Sequence, residues 1–220
     1  MISVSGKIWT EQKVNKNLIE KFKQDYGFGD ILSKLIISRN YDSSEVYGIN
    51  NKQKLKNIFK DDKDFQKASL VLLKVINNNE NICILGDYDV DGACSTSLLV
   101  RYFNYINQKH FFYIPDRTED GYGASKKLFQ KLILKKPKLI IMVDCGSTSY
   151  EAIDYLNKHN IKSIIIDHHE INKPYPKSNV IINPKKDLHK KESSLLCATA
   201  LTYFFIEFII QKTKSNFKIS

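Results

Sequence analysis

The sequence is poor in arginine. Only Arg39, Arg101 and Arg117 occur, so nearly all of the 34 Lys+Arg charges are lysine. One tryptophan and five prolines are present, and the four cysteines (Cys83, Cys94, Cys145, Cys197) include no C-x-x-C pair. That spacing excludes a zinc ribbon and a disulfide framework and fits reduced thiols. No apolar run is long enough to span a bilayer: "LTYFFIEFII" (201–210) is short and broken by Glu207. The opening "MISVSGKIWTEQK" has no apolar core of a signal peptide, so a soluble cytoplasmic protein with no membrane association is expected. G-x-S-x-G, the P-loop and G-x-G-x-x-G are also absent, which removes the familiar nucleophile-elbow and nucleotide-cradle chemistries.

What is present is an ordinary globular composition, 42% hydrophobic and 26% charged over 220 residues, with a formal net charge of +10. A basic surface suits a polyanion such as nucleic acid, although a lysine-rich composition alone produces the same number. Residues 1–65 read as short helices, with apolar spacing of three and four in "NLIEKFKQDYG" and "DILSKLIISRN". An amphipathic helix follows at 64–78. From there the pattern becomes strand, loop, helix. Strand-like runs lie at 81–85, 110–114, 138–143, 162–166 and 179–183, and helix-like runs at 94–107, 125–135 and 149–159. Continuously apolar strands alternating with helices predict an α/β doubly wound domain over 66–192, with a mostly parallel five-stranded sheet. "SSLLCATALTYFFIEFIIQK", within 193–220, is apolar nearly all round and predicts a core helix or a linker to a further domain.

Open parallel sheets bind ligands at the carboxyl ends of their strands. Here each acidic or histidine cluster follows a strand: Asp87, Asp89 and Asp91; "PDRTEDGYG" (115–123); Asp144; and Asp167, His168 and His169. "DYDVDG" matches the start of a calcium loop, but the twelfth position is Leu98 where that loop needs a glutamate. Singly, an aspartate after a strand is more often a helix cap than a ligand. His110, His159 and His189 have no such company and carry no role. Jointly, carboxylates converging on one edge repel one another unless cations neutralise them. Aspartate and histidine without cysteine suit Mn²⁺ or Mg²⁺, and two such ions suit phosphoryl-ester hydrolysis.

"GDYDVDG", "IPDRTEDGYG", "VDCGSTS" and "DHH", in this order, resemble the first four motifs of the DHH phosphoesterase superfamily, most closely its RecJ-type branch. The resemblance covers about residues 28–210 and extends to "LSKLIISRNYDSSE" and "IINPK". It implies a metal-dependent, single-strand-specific 5′-to-3′ DNA exonuclease of repair and recombination, using two Mn²⁺ or Mg²⁺ ions and acting as a monomer. It also implies ligand roles for Asp87, Asp89, Asp91, Asp144 and His168, with Asp89 and Asp91 as direct ligands and Asp144 bridging. His169 would lie near the scissile phosphate, supported by Asp167, and Arg117, Gly121, Tyr122 and Gly123 near the DNA strand. The fifth family motif is not found before Ser220, and "SSLLCATAL" lacks the glycines usual in that branch. The resemblance therefore implies a catalytic portion whose partner domain lies downstream or on a separate chain. Two other readings stay open: a small-substrate phosphoesterase for oligonucleotides, cyclic dinucleotides or 3′-phosphoadenosine phosphate, and an inactive DNA- or partner-binding remnant.

Overall fold

A computed structural model describes residues 3–8, 10, 12–51, 58–121, 123–186 and 193–219. The chain divides into two compact units, residues 1–56 and 57–220. The first holds α1 (Lys16–Tyr26), α2 (Asp30–Ser38) and α3 (Ser43–Asn50). Its small core gathers Phe28, Ile36 and Val46. Asp42 starts α3 through a capping box with Glu45, so two otherwise orphaned N–H groups are satisfied reciprocally.

The second unit begins with α4 (Lys63–Asn77), capped by Asp62, and continues into alternating strands and helices. The strands are β1 (Ile82–Leu85), β2 (His110–Tyr113), β3 (Leu139–Val143), β4 (Lys162–Ile166) and β5 (Val180–Ile182). They form one sheet in the order β2-β1-β3-β4-β5, and every pairing is parallel. The helices are α5 (Val90–Tyr105), α6 (Lys126–Leu132), α7 (Tyr150–Lys158) and α8 (Ala198–Thr213).

The period-two alternation of strand side chains assigns each helix to a face. Ile82, Ile84, Ile141, Val143, Ile164 and Ile166 point to one side. There they pack with Phe65 and Leu72 of α4, Leu99 and Phe103 of α5, and Leu201 and Phe205 of α8. Cys83, Leu85, Ile140, Met142 and Ile165 point to the other side, against Leu128 and Phe129 of α6 and Ile153 and Leu156 of α7. With both faces covered, β1 and β3 are buried at every position, which is why their sequences are unbroken apolar runs. The sheet is thus doubly wound, as the sequence pattern predicts.

The last helix differs in its start from the continuous apolar run. Residues 193–195 form a separate 3-10 turn, Cys197 is extended, and α8 begins at Ala198. The cause lies outside the segment, at the acidic edge described next. No described helix is long and apolar enough to cross a membrane.

Candidate metal centre

The strand order reverses direction between β1 and β3, so the connections leave their carboxyl ends on opposite faces and open a crevice there. The loop after β1 enters that crevice and turns directly into α5. Asp89 caps α5, its Oδ1 accepting the Gly92 N–H at 3.0 Å. Gly92 is required by space. A Cβ there would stand 2.5 Å from the Asp87 carbonyl oxygen and 2.6 Å from its nitrogen. Asp87 is thereby pinned under the helix start, only 3% exposed, and its Oδ1 is buried without a hydrogen-bond partner. Burial pushes its carboxyl above the ordinary range, with the charge of Asp89 adding to the effect and the Tyr88 N–H opposing it.

Asp144 follows β3 in a left-handed conformation (φ 60°), a state costly for most side chains but tolerated by Asp and Asn. It is 1% exposed, and neither carboxylate oxygen takes a hydrogen bond. Its pKa is pushed up to about 8, first by burial, then by the carboxylates of Asp91 and Asp89. Asp89 is close enough to share a proton with Asp144, but with both ionised the pair has only acceptors. A buried carboxylate with two orphaned oxygens beside two more carboxylates is a site built for cations.

The β4 end supplies the imidazoles. His168 Nε2 lies 3.2 Å from Asp144 Oδ1 and 3.5 Å from Asp91 Oδ2. Asp167 is 1% exposed and accepts from four groups. Its Oδ2 takes the Ser147 N–H at 3.0 Å. Its Oδ1 takes the His168 N–H at 2.7 Å, the His169 N–H at 3.2 Å and His169 Nδ1 at 2.7 Å. Burial alone would raise the Asp167 carboxyl, but these bonds outweigh it and hold the pKa down. With Asp167 held ionised, its Oδ1 can only accept, so His169 Nδ1 is the donor in that bond.

Two ligand groups result. One oxygen each from Asp87, Asp89 and Asp144 lie within 4.8 Å of one another, as do donor atoms of Asp144, His168 and His169. Asp144 is common to both. Asp91 belongs to neither group. Its Oδ2 accepts the Ala198 N–H at 2.8 Å, and its Oδ1 accepts the Thr199 N–H at 2.8 Å and the Thr199 hydroxyl at 2.5 Å. Cys197, the N-cap of α8, makes no side-chain cap bond. Asp91 caps α8 from across the fold, which is why that helix starts at Ala198. Burial would raise the Asp91 carboxyl, and the Thr199 and Ala198 bonds override it to leave the pKa lowered.

The loop after β2 is held at Asp120 by the elements on either side of it, β2 and α6. Asp120 accepts from the Tyr113 hydroxyl at 2.5 Å and from Lys131 Nζ at 2.7 Å, and these partners, Lys131 first, pull its pKa down to about 2. Gly121 and Gly123 take positive φ, 78° and 70°, which a side chain would resist. Arg117 sits 5.5 Å from the ring centroid of Tyr88, so the loop's cation meets the β1 loop through an aromatic face. Tyr122 and His189 lie outside the described residues.

Sequence reasoning misses Thr199 and Asn183. The first sits within an apolar helix and reads as packing. The second makes three hydrogen bonds around the β3, β4 and β5 ends. A small polar residue at a helix start is the available signal for Thr199, and an asparagine directly after a strand is that for Asn183.

A doubly wound sheet with paired carboxylate and histidine groups at the β1, β3 and β4 ends is the arrangement of a metal-dependent phosphoesterase domain. The DHH family, N-terminal domain, matches residues 81–220, and the chain belongs to that family. Among curated relatives, the single-stranded-DNA-specific exonuclease RecJ of Bacillus subtilis (strain 168) is 27% identical over 180 residues, 81% of this chain. The RecJ of Escherichia coli (strain K12) is 32% identical over 120 residues, 54% of this chain. The chain spans 23% and 21% of the lengths of these two relatives. A crystal structure of exonuclease RecJ bound to manganese superposes with TM-score 0.66 at 24% identity, over 73% of this chain and 40% of that one. RecJ from Thermus thermophilus in complex with Mn²⁺ also gives TM-score 0.66, at 18% identity, over 91% of this chain and 28% of that one. These likenesses establish the fold.

Proposed function

We propose that the chain is the catalytic portion of a single-strand-specific DNA exonuclease of the RecJ type, hydrolysing phosphodiesters with two Mn²⁺ or Mg²⁺ ions. The observation that carries this reading is Asp144: a buried carboxylate with both oxygens orphaned, shared by two ligand groups. The donor set of carboxylates and imidazoles, without thiolate, fits hard divalent cations. Asp87, Asp89 and Asp144 would hold one ion, and Asp144, His168 and His169 the other. Bound there, the ions supply charge neutralisation at the phosphate and a lowered pKa for water.

The remaining residues bind and orient. Asp167 fixes the His169 ring through Nδ1, which stands 3.9 Å from Asp144 Oδ1. Arg117, which lies over the Tyr88 ring, would offer a planar cation to phosphate oxygens, and the other face of Tyr88 would offer a base a surface to stack on. Gly121 and Gly123, on either side of Tyr122, would let the backbone of that loop approach the strand. Asp91 would serve the site from the α8 side, its Oδ2 3.5 Å from His168 Nε2. The 5′-to-3′ direction rests on the resemblance to the RecJ branch.

The test is nucleotide release by the 220-residue chain from single-stranded DNA labelled at either end, with Mn²⁺ or Mg²⁺. Release from the 5′ end, absent on a duplex and lowered at least ~100-fold by Asp144→Ala, is expected. Activity unchanged in Asp144→Ala would overturn the reading.

A further inference from the structure

β5 is the least secured strand of the sheet. It has three residues and pairs on one side only, with β4. Yet the residue that follows it, Asn183, is 5% exposed and is placed among the groups that hold His169. Its Nδ2 donates to Ser147 Oγ at 2.8 Å and to the His169 carbonyl oxygen at 3.0 Å, while its Oδ1 accepts the Lys185 N–H at 2.9 Å. The amide orientation is fixed by these partners. Flipped, it would set its oxygen against the His169 carbonyl and its NH₂ against the Lys185 N–H.

The bonds close a ring. Asn183 holds Ser147, the Ser147 N–H is held by Asp167, Asp167 holds the His169 ring, and the His169 carbonyl returns to Asn183. The ring joins the ends of β3, β4 and β5. Asp167 fixes the imidazole and takes the His169 N–H from one side, which leaves the His169 carbonyl as the other point at which this backbone can be held. Asn183 ties that point. The strand beneath is anchored in turn, because Lys186 Nζ bonds both the Ile181 carbonyl and Asp64 of α4 at 2.7 Å.

We infer that Asn183 is a positioning residue for the metal centre, acting through His169 by holding its carbonyl while Asp167 holds its ring and N–H. This deepens the reading above and rests on Asp144, His168 and His169 forming a ligand group. Outer partners of ligating histidines are worth about 10- to 100-fold in metal affinity.

The experiment titrates Mn²⁺ into the 220-residue chain and follows free Mn²⁺ by electron paramagnetic resonance, in a cycle of Asn183→Ala, His169→Ala and the double variant. Asn183→Ala is expected to weaken Mn²⁺ binding roughly 10-fold in the natural background and less than about 2-fold once His169 is already alanine. Ser147→Ala, which leaves the bond to the His169 carbonyl, should fall between, and it serves where Asn183→Ala does not fold by circular dichroism. Unchanged affinity in Asn183→Ala, or an equal loss in both backgrounds, overturns the inference. The metal-free protein decides separately: the His169 ring resonances should shift in Asn183→Ala and in Ser147→Ala, and unshifted resonances also overturn it. If the natural chain takes up no Mn²⁺, the two-ion reading fails while the resonances still decide the role of Asn183.

Discussion

Asp144 concentrates the conflict on which the site depends. It combines left-handed backbone, near-complete burial and two orphaned oxygens beside the Asp89 and Asp91 carboxylates. Replacing it with asparagine keeps the shape and the tolerance for positive φ while removing the charge. Without metal, at about pH 9, where the carboxyl would be ionised, Asp144→Asn should melt higher than the natural chain, and its melting temperature should no longer rise with Mn²⁺. Scanning calorimetry checks both, and a lower metal-free melting temperature would contradict the account of the buried charge. At this scale the sequence displays the identities of Asp87, Asp89, Asp144 and His168. It cannot display how Asp91 is engaged, because the donors it accepts from are supplied by residues more than a hundred positions away, Ala198 and Thr199 among them.

Among the elements, the sheet and most helices are legible, since β1, β3 and β4 are nearly continuous apolar runs when both faces are covered, and that pattern is local. The start of α5 is less so. The helix-like pattern begins at 94, but Asp89 caps the helix five residues earlier through Gly92. The start of α8 is hidden for a different reason, namely that its cap is tertiary. Asp91→Ala should therefore fray α8 at its first turn. A loss of about 1–2 kcal/mol in stability is expected, the cost of a removed cap whose N–H partners are part-buried. Hydrogen exchange at Ala198 and Thr199 should quicken well before exchange at Phe205, and uniform protection along α8 would refute the cap.

For the whole molecule, the acidic edge links folding, protons and cations. The Asp144 carboxyl, ordinarily near 3.8, is raised to about 8 in the folded chain. The unfolded chain thus releases this proton at lower pH than the folded one. The metal-free protein should lose stability as pH climbs from about 4 towards 8, and change no further from this group above that window. Cation binding displaces the same proton, so apparent Mn²⁺ affinity should rise with pH and level off above about 8. Mn²⁺ titrations by calorimetry between about pH 6 and 9 check the slope, and a flat profile would show that Asp144 is already ionised. Stability should also increase with the Mn²⁺ concentration itself, through preferential binding to the folded state.

The clasp between Asp91 and the start of α8 joins positions 107 and 108 residues apart. On a translating ribosome, the aspartate emerges on the order of ten seconds before its donors do. Through that interval the faces of α4 and α5 that α8 will cover, Phe65 and Leu99 among them, stand bare. The nascent chain thus passes through a window in which it is open to chaperone capture or self-association, and the arrival of α8 closes it. The stretch that presents the acidic edge is made early, and the helix that finishes it is made 107 residues later.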